Sequence, residues 1–134
     1  MLLVETYLAP SPIAGIGVFA RHAVPKGTTL WKPHPGVDLA FTPHNWEAWL
    51  ATMHPSSAAD MRRHSYKQGG RIILCLDNGR FMNHADADAN VGNDSATDTM
   101  FARHDIAAGT ELLCDYGEYS DPDDIHLGLI HGRD

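Results

Sequence analysis

Residues 81–91 read FMNHADADANV, and this stretch decides how the rest of the chain is interpreted. Two apolar residues and an Asn-His pair are followed by Asp, Asn and Ala, which have poor strand propensity. The Asp and Asn side chains also compete with regular structure through local hydrogen bonds. An apolar run over residues 71–76 and the turn signal Asp77-Asn78-Gly79 precede the stretch. The sequence therefore predicts that a strand ends near residue 76 and that the backbone turns within residues 81–91.

Length and composition predict one domain in residues 1–134, because this length supports one core but not two ordinary ones. Hydrophobic residues make up 43% of the chain, and no apolar run approaches the roughly 18 residues of a membrane span. The opening MLLVETYLAP lacks the basic and long apolar regions of a signal peptide. We expect a cytoplasmic protein that does not contact membranes.

The charge balance bears on the partner. Ten Lys and Arg against seventeen Asp and Glu give a net charge of −7, which argues against direct nucleic-acid binding. The same charge suits a basic peptide, although an ordinary acidic soluble protein fits it equally well. Cys75 and Cys114 lie in apolar runs, which predicts buried thiols in a reducing compartment.

The chain contains one internal similarity. VFARHAVPKGTTL, from Val18, aligns with MFARHDIAAGTEL, from Met100. Each copy reads as a strand, a tight turn ending at Gly27 or Gly109, and a second strand. We therefore predict two similar hairpins, with chance similarity as the alternative.

A helical insert is predicted at about residues 42–65. Thr42 and Pro43 have the character of an N-cap and a first helical residue, and Trp46, Trp49, Leu50 and Met53 share one face. Ser57 and Asp60 resemble a capping box for a short second helix that ends near His64. Residues 110–116 read as a strand, and the acidic tail, 120–134, has no predicted structure. The fold class is mainly β.

Metal binding is not predicted. The nine histidines lack the spacings that metal sites use, and the alternation of Asp86, Asp88 and Asn90 lacks the Gly and Glu of a calcium loop. Gly15-Ile16-Gly17 is a weak signal by itself, since paired glycines more often serve turns than ligands. It does mark a place where another molecule can approach the backbone.

Three motifs in order carry a more specific signal: SPIAGIGVFA near the start, GRFMNH at residues 79–84 and GTELLCDYGEY at residues 109–119. Together they resemble the SET-domain family of S-adenosylmethionine-dependent protein-lysine methyltransferases, over residues 4–119. The resemblance implies a β-clip-like fold of small sheets. It also implies a knot-like core, in which the Asn-His segment passes through a loop of the C-terminal motif.

The resemblance also implies a site. Gly15, Ile16 and Gly17 would bring backbone close to S-adenosylmethionine, Asn83 and His84 would hold cofactor groups, and Tyr116 would be the catalytic tyrosine. By the same resemblance, Glu111 and Asp115 are structural. The Asn-His run departs from the family pattern, with Ala85 in place of Ser and one apparent extra residue. This departure bears on cofactor affinity.

The substrate channel is expected to include Cys114, Tyr66 and Tyr119, although Tyr66 also reads as a core residue. Cys114 replaces a larger aromatic residue that limits methylation in many family members, so we expect the enzyme to proceed beyond monomethylation. The cysteine-rich flanking modules of many members are absent. The substrate groove must then be closed by residues 119–130, by a second subunit in a homodimer, or by the substrate.

The expected activity is methyl transfer to lysine of a basic protein. A lysine amine with a pKa of about 10.4 must lose its proton before it can attack, and an apolar channel favours the neutral form. Two alternatives stay open: a catalytically weak module that binds a basic peptide, and a methyltransferase that acts on a small-molecule amine. Binding of S-adenosylmethionine would distinguish the enzyme from a peptide-binding module, which has no need of the cofactor. An open acidic groove would argue against a small-molecule substrate, and a closed pocket would support one.

Overall fold

The computed structural model describes residues 1–130, with side chains as far as residue 127, and the chain is mainly β. Residues 131–134 of the predicted domain and tail lie outside the described residues. The ten strands are β1 (Thr6–Pro10), β2 (Ile16–Ala20), β3 (Thr29–Trp31), β4 (Asp38–Phe41), β5 (Ser65–Gln68), β6 (Arg71–Cys75), β7 (Asn83–His84), β8 (Val91–Asp94), β9 (Thr99–Ala102) and β10 (Leu113–Cys114). The helices are α1 (Pro43–Leu50), α2 (Pro55–Arg63) and α3 (Ile125–Ile130). Within residues 1–130, no helix has the length and apolar character needed to cross a membrane.

The strands form three small sheets. β1 pairs with β2 in an antiparallel ribbon, and β4, β6 and β5 form an antiparallel sheet in that order. The third sheet has the order β3-β9-β8-β10-β7, in which β10 runs parallel to both β7 and β8. This arrangement of small sheets confirms the predicted fold class.

The C-terminal strand β10 lies between two strands that are neighbours in sequence. Because β10 separates β7 from β8, the connecting residues 85–90 must cross it. Buried Asn90 holds this crossing: its Nδ2 donates to the Glu111 carbonyl and its Oδ1 accepts from the Leu113 N–H, each at 2.8 Å. Residues 85–90 are thus fixed to the strand that they cross, which gives the expected knot-like core.

The two similar segments do not form separate hairpins, so that prediction was wrong. They bind each other through reciprocal backbone hydrogen bonds: Val24 and Ile106 exchange N–H groups and carbonyls at 2.8 Å in both directions. Gly27 N–H donates to the Ala102 carbonyl, and Gly109 N–H donates to the Ala20 carbonyl. The two glycines have φ values of +83° and +82°, which L side chains rarely adopt. The repeat therefore forms one paired clasp with approximate two-fold character.

The helical insert is confirmed, with a different start for its second helix. Thr42 caps α1 by accepting from the Asn45 N–H at 3.2 Å, and Pro43 is its first residue. The second helix begins at Pro55, where His54 accepts from the Ser56 N–H. Ser57 is therefore inside α2 and not its cap. The insert packs Trp46 and Leu50 on Leu74 of β6, in a core separate from the main one.

Other predicted elements are shorter than expected. The predicted strand over residues 110–116 is regular only at Leu113–Cys114, and a 3-10 turn follows at Tyr116–Glu118. Another 3-10 turn, Asn78–Phe81, follows β6 and is capped by Asp77. Cys75 and Cys114 are buried free thiols, as predicted.

Candidate active site

The glycine-containing loop between β1 and β2 forms one wall of a cleft. Gly15 has a φ of +48°, which turns the backbone back into β2. The side-chain amide of Asn83 donates to the carbonyls of Ala14 (3.1 Å) and Ile16 (3.3 Å). Asn83 therefore ties the loop to the strand next to the crossing.

The buried carboxylate of Glu111 holds this loop through hydrogen bonds. Glu111 is only 9% exposed, and its oxygens accept from the Ser11 hydroxyl at 2.8 and 2.9 Å and from the Asn83 amide at 3.0 Å. Gly17 leaves the space that the carboxylate occupies, because a Cβ there would lie 2.3 Å from Oε2. The expected structural role of Glu111 thus has a geometric basis, and Ser11 is a partner that sequence reasoning missed.

His84 supports the backbone of Tyr116. Its Nδ1 accepts from the Tyr116 N–H at 3.1 Å, so the ring proton is on Nε2, which donates to Asp86 at 2.8 Å. Asp115 lies 3.8 Å from Nδ1. Ligand atoms of His84, Asp86 and Asp115 lie within 4.8 Å of one another, close enough for one cation. Both ring nitrogens of His84 already have protein partners in this arrangement.

Tyr116 lies at the centre of the site. Its hydroxyl donates to the Met82 carbonyl at 2.7 Å, and its ring lies 5.1 Å from that of His84 between centroids. Burial raises the pKa of the Tyr116 hydroxyl well above its usual value, and the nearby Cys114 and Asp124 act in the same direction. The phenol is therefore neutral across the physiological pH range.

A narrow cavity of about 70 Å³, here called the channel, lies beside Tyr116. The predicted channel residues Cys114, Tyr66 and Tyr119 all line it, so Tyr66 belongs to the channel wall. The Tyr66 and Tyr119 rings meet edge to face at 5.0 Å, and the Tyr119 hydroxyl lies 3.6 Å from Cys114 Sγ. Burial raises the pKa of the Cys114 thiol to about 12, and burial also raises the pKa of Tyr119. The channel wall is thus uncharged at these positions.

An open cleft of about 550 Å³ also borders Tyr116. It is lined by Gly15, Ile16, Asn83 and Tyr116 among the predicted cofactor residues, whereas Gly17 and His84 lie behind its wall. Met82 and Tyr116 line both the cleft and the channel. Arg63, His64, Arg80 and His126 also line both spaces, so the cleft and the channel share a wall that includes the hydrogen-bonded pair of Met82 and Tyr116.

The start of the acidic tail docks beside the channel. Asp121 accepts from the N–H groups of Gly69 and Gly70 at 2.8 Å, and buried Asp124 accepts from the Lys67 N–H at 2.5 Å. Tyr119 and His126 are thereby placed on the channel wall. The sequence analysis assigned no regular structure to this segment and gave it as one of three candidates for closing the substrate groove.

Comparison with known proteins identifies the fold. A family model described as SET domain matches residues 15–117, which is more than half of the chain. The chain belongs to the SET-domain family. This membership supports a lysine methyltransferase in general.

A solved structure is similar to this SET domain. It is that of a candidate histone methyltransferase from Plasmodium falciparum, with 19% sequence identity and a TM-score of 0.56. The match covers 87% of this chain and 96% of the other. At this identity the similarity concerns the fold alone. No curated protein sequence matches the chain.

Proposed function

We propose that this SET domain transfers methyl groups from S-adenosylmethionine to the ε-amine of lysine in a protein substrate. The observation that carries the proposal is the meeting of the open cleft and the narrow channel at the Met82 carbonyl and the Tyr116 hydroxyl. A reactant bound in the cleft and a reactant bound in the channel would come together there. Holding two reactants in this way supplies a large share of a rate enhancement.

The cleft fits the cofactor. Its volume of about 550 Å³ lies within the range of about 300–1,000 Å³ that small-molecule sites occupy. Ala14, Gly15, Ile16 and Asn83 would hold the cofactor, and Gly15 leaves its backbone open to close approach. S-adenosylmethionine supplies an electrophilic methyl group on a positively charged sulfur. The carbonyl oxygen of Met82 and the face of the Tyr116 ring both suit a positive charge.

The sequence analysis expected His84 to hold cofactor groups, and we propose a different role for its side chain. Its imidazole is held between the Tyr116 N–H and Asp86 and does not line the cleft. We therefore propose that the His84 side chain positions Tyr116, and that any contact with the cofactor is made through the His84 backbone.

The channel residues act on the lysine. The buried, uncharged side chains of Cys114, Tyr66 and Tyr119 favour the neutral amine over the ammonium, because burial disfavours the charged form. The positive charges of Arg63 and Arg80 on the same wall act in the same direction. The Tyr116 hydroxyl donates its hydrogen bond to the Met82 carbonyl, so the hydroxyl oxygen can accept an N–H from the amine. The Tyr119 and Tyr66 rings fix the aliphatic part of the side chain and exclude water. Together these contacts would orient the nitrogen lone pair towards the cleft.

We propose that residues 1–134 act as one unit on a basic segment of a protein. The net charge of −7 favours such a partner through long-range attraction. The narrow channel fits an extended aliphatic side chain better than a bulky small molecule.

The test is calorimetric titration of S-adenosylmethionine into the wild type, Tyr116→Phe and Tyr7→Phe, followed by transfer of radiolabelled methyl groups to mixed basic proteins. We expect all three proteins to bind the cofactor, and Tyr116→Phe to transfer about 10²-fold more slowly, as for loss of one orienting hydrogen bond. Tyr7 stacks on Phe19 and lines neither cavity, so its variant is the matched control. A folded wild type that binds no cofactor would contradict the proposal and favour a peptide-binding module.

A further inference from the structure

His126 lies at the junction of the spaces around the site. It lines the channel, the cleft and a third groove of about 200 Å³ between the helical insert and the tail. Among the side chains that the structure describes, it alone lines all three of these spaces. Its ring centroid lies 6.4 Å from that of Tyr116. The imidazole is therefore next to the place where a substrate amine would be held.

The Nε2 atom of His126 is buried and has no hydrogen-bond partner within the described part of the chain. Buried polar atoms nearly always have a partner in a native structure. An N–H group of a substrate amine that enters the channel would supply the hydrogen-bond partner that His126 Nε2 lacks.

The phenols and thiols of the channel do not compete for a proton. Burial raises the pKa of Tyr66, Cys75, Cys114, Tyr116 and Tyr119, so these phenols and thiols are already protonated. His64 also lines the channel, with its Nδ1 on the Asp60 carbonyl at 2.9 Å. Its Nε2 is not among the buried atoms that lack a partner.

Charged groups surround the junction. On the groove side, Glu47 pairs with Arg62 and Lys67 pairs with Asp123. The carboxylate of Asp124 is held by the Lys67 N–H and the His126 N–H, which fixes the start of α3. The positive guanidinium groups of Arg63 and Arg80 line both the channel and the cleft, and Arg63 lies 3.9 Å from the Asp60 carboxylate. Like charge disfavours an ammonium beside these groups, which promotes loss of its proton.

We propose that His126 accepts a proton from the ammonium group of the substrate lysine, an inference that rests on the proposed function. One N–H bond of the ammonium breaks, and its electron pair stays on the lysine nitrogen. The proton forms a new bond to Nε2 of an imidazole that is protonated on Nδ1. The imidazolium then releases a proton to solvent through the groove, and the neutral amine is ready to attack the methyl group.

The test compares the pH dependence of kcat/KM for the wild type, His126→Phe and His126→Gln. Without an acceptor, the rate follows the fraction of lysine that is already neutral, which falls about tenfold per pH unit below a pKa of about 10.4. We expect kcat/KM of both variants to rise about 100-fold between pH 7 and 9, and that of the wild type to rise less than about tenfold. The deficit at pH 7 should be about 10²-fold, the usual contribution of a general base, and should shrink towards pH 10.

His64→Gln is the matched control, because His64 lines the same channel and cleft, and it should keep the wild-type slope. Titration with S-adenosylmethionine and thermal melting verify that each variant is folded. Equal slopes for wild type and both His126 variants would overturn the inference while leaving the methyltransferase intact. Loss of the shallow slope in His64→Gln alone would assign the proton to His64. A folded wild type without transfer activity would remove both proposals.

Discussion

Glu111 lies so close to Gly17 that a Cβ atom at residue 17 would be 2.3 Å from its Oε2. The contact joins the glycine-containing loop to the C-terminal motif, although the two are far apart in sequence. The first motif of the family thus depends on the third for its shape. The glycine at residue 17 is required by this contact and not by its φ value, since the positive φ is at Gly15.

Gly17→Ala is therefore expected to destabilise the fold by about 1–3 kcal/mol, the usual cost of overpacking. Chemical denaturation measures this free energy of unfolding. In a double-mutant cycle with Glu111→Ala, the cost of Gly17→Ala should fall, because the smaller side chain vacates the space. Additive effects of the two substitutions would contradict the steric explanation.

Asn90→Ala should destabilise the crossing of residues 85–90 over β10. The substitution leaves the Glu111 carbonyl and the Leu113 N–H without their partners. Two buried backbone groups at about 1–2 kcal/mol each predict a loss of about 2–4 kcal/mol in the free energy of unfolding. Asn93→Ala is the control, since its amide makes only one long hydrogen bond, 3.5 Å, to the Glu118 carbonyl. Equal losses in the two variants would argue against a special role for Asn90.

The wild type is expected to add more than one methyl group to a lysine, and Cys114→Tyr to restrict it to one. Cys114 is small, but the Tyr119 hydroxyl already lies 3.6 Å from its sulfur, so a tyrosine at residue 114 fits only if Tyr119 shifts. Mass spectrometry of a methylated peptide measures the product distribution. Cys114→Ala should keep the higher methylation states, and melting curves show whether Cys114→Tyr is folded. A wild type that stops at monomethyl-lysine on a good substrate would contradict this prediction.

Stability should fall at alkaline pH before the tyrosines titrate. Burial raises the pKa of the Cys114 thiol to about 12, and burial likewise raises the pKa of Cys75. An unfolded thiol loses its proton near pH 8.5 while the folded one keeps it, so the folded state binds more protons above that pH. The stabilisation is complete below about pH 8.5 and declines as the pH rises towards 12.

The expected slope is about 1.4 kcal/mol per pH unit for each thiol between pH 9 and 10. Guanidinium denaturation at pH 7.5, 9 and 10 measures it. Cys114→Ala should show a smaller slope than the wild type. Constant stability up to pH 10 would mean that the thiols are more accessible in solution than in this structure.

Features that depend on neighbouring residues were predictable from the sequence. The first helix follows from Thr42, Pro43 and the spacing of its tryptophans, all of which are local signals. The second helix start was misplaced because Ser57 and Asp60 have capping-box spacing, whereas His54 and Pro55 form the actual start. The motif residues Gly15, Asn83 and Tyr116 do meet around one cleft.

Features that depend on long-range pairing or on burial were not predictable. The hairpin prediction failed because each copy of the repeat pairs with the other copy, and nothing in a local pattern specifies a distant partner. Asn90 read as part of a polar run, and its role follows only from its burial beneath β10. His126 carries no motif, and only the cavities show where it lies.

The paired clasp also determines when this chain can fold during synthesis. Residues 20–28 emerge from the ribosome before residues 102–110, in which the N–H groups of Ala20, Val24 and Gly27 find their acceptors. Contacts between such distant residues slow folding, since a long loop must close first. The first copy of the repeat therefore stays without these partners until residues 102–110 have been synthesised, as a stretch that chaperones can bind.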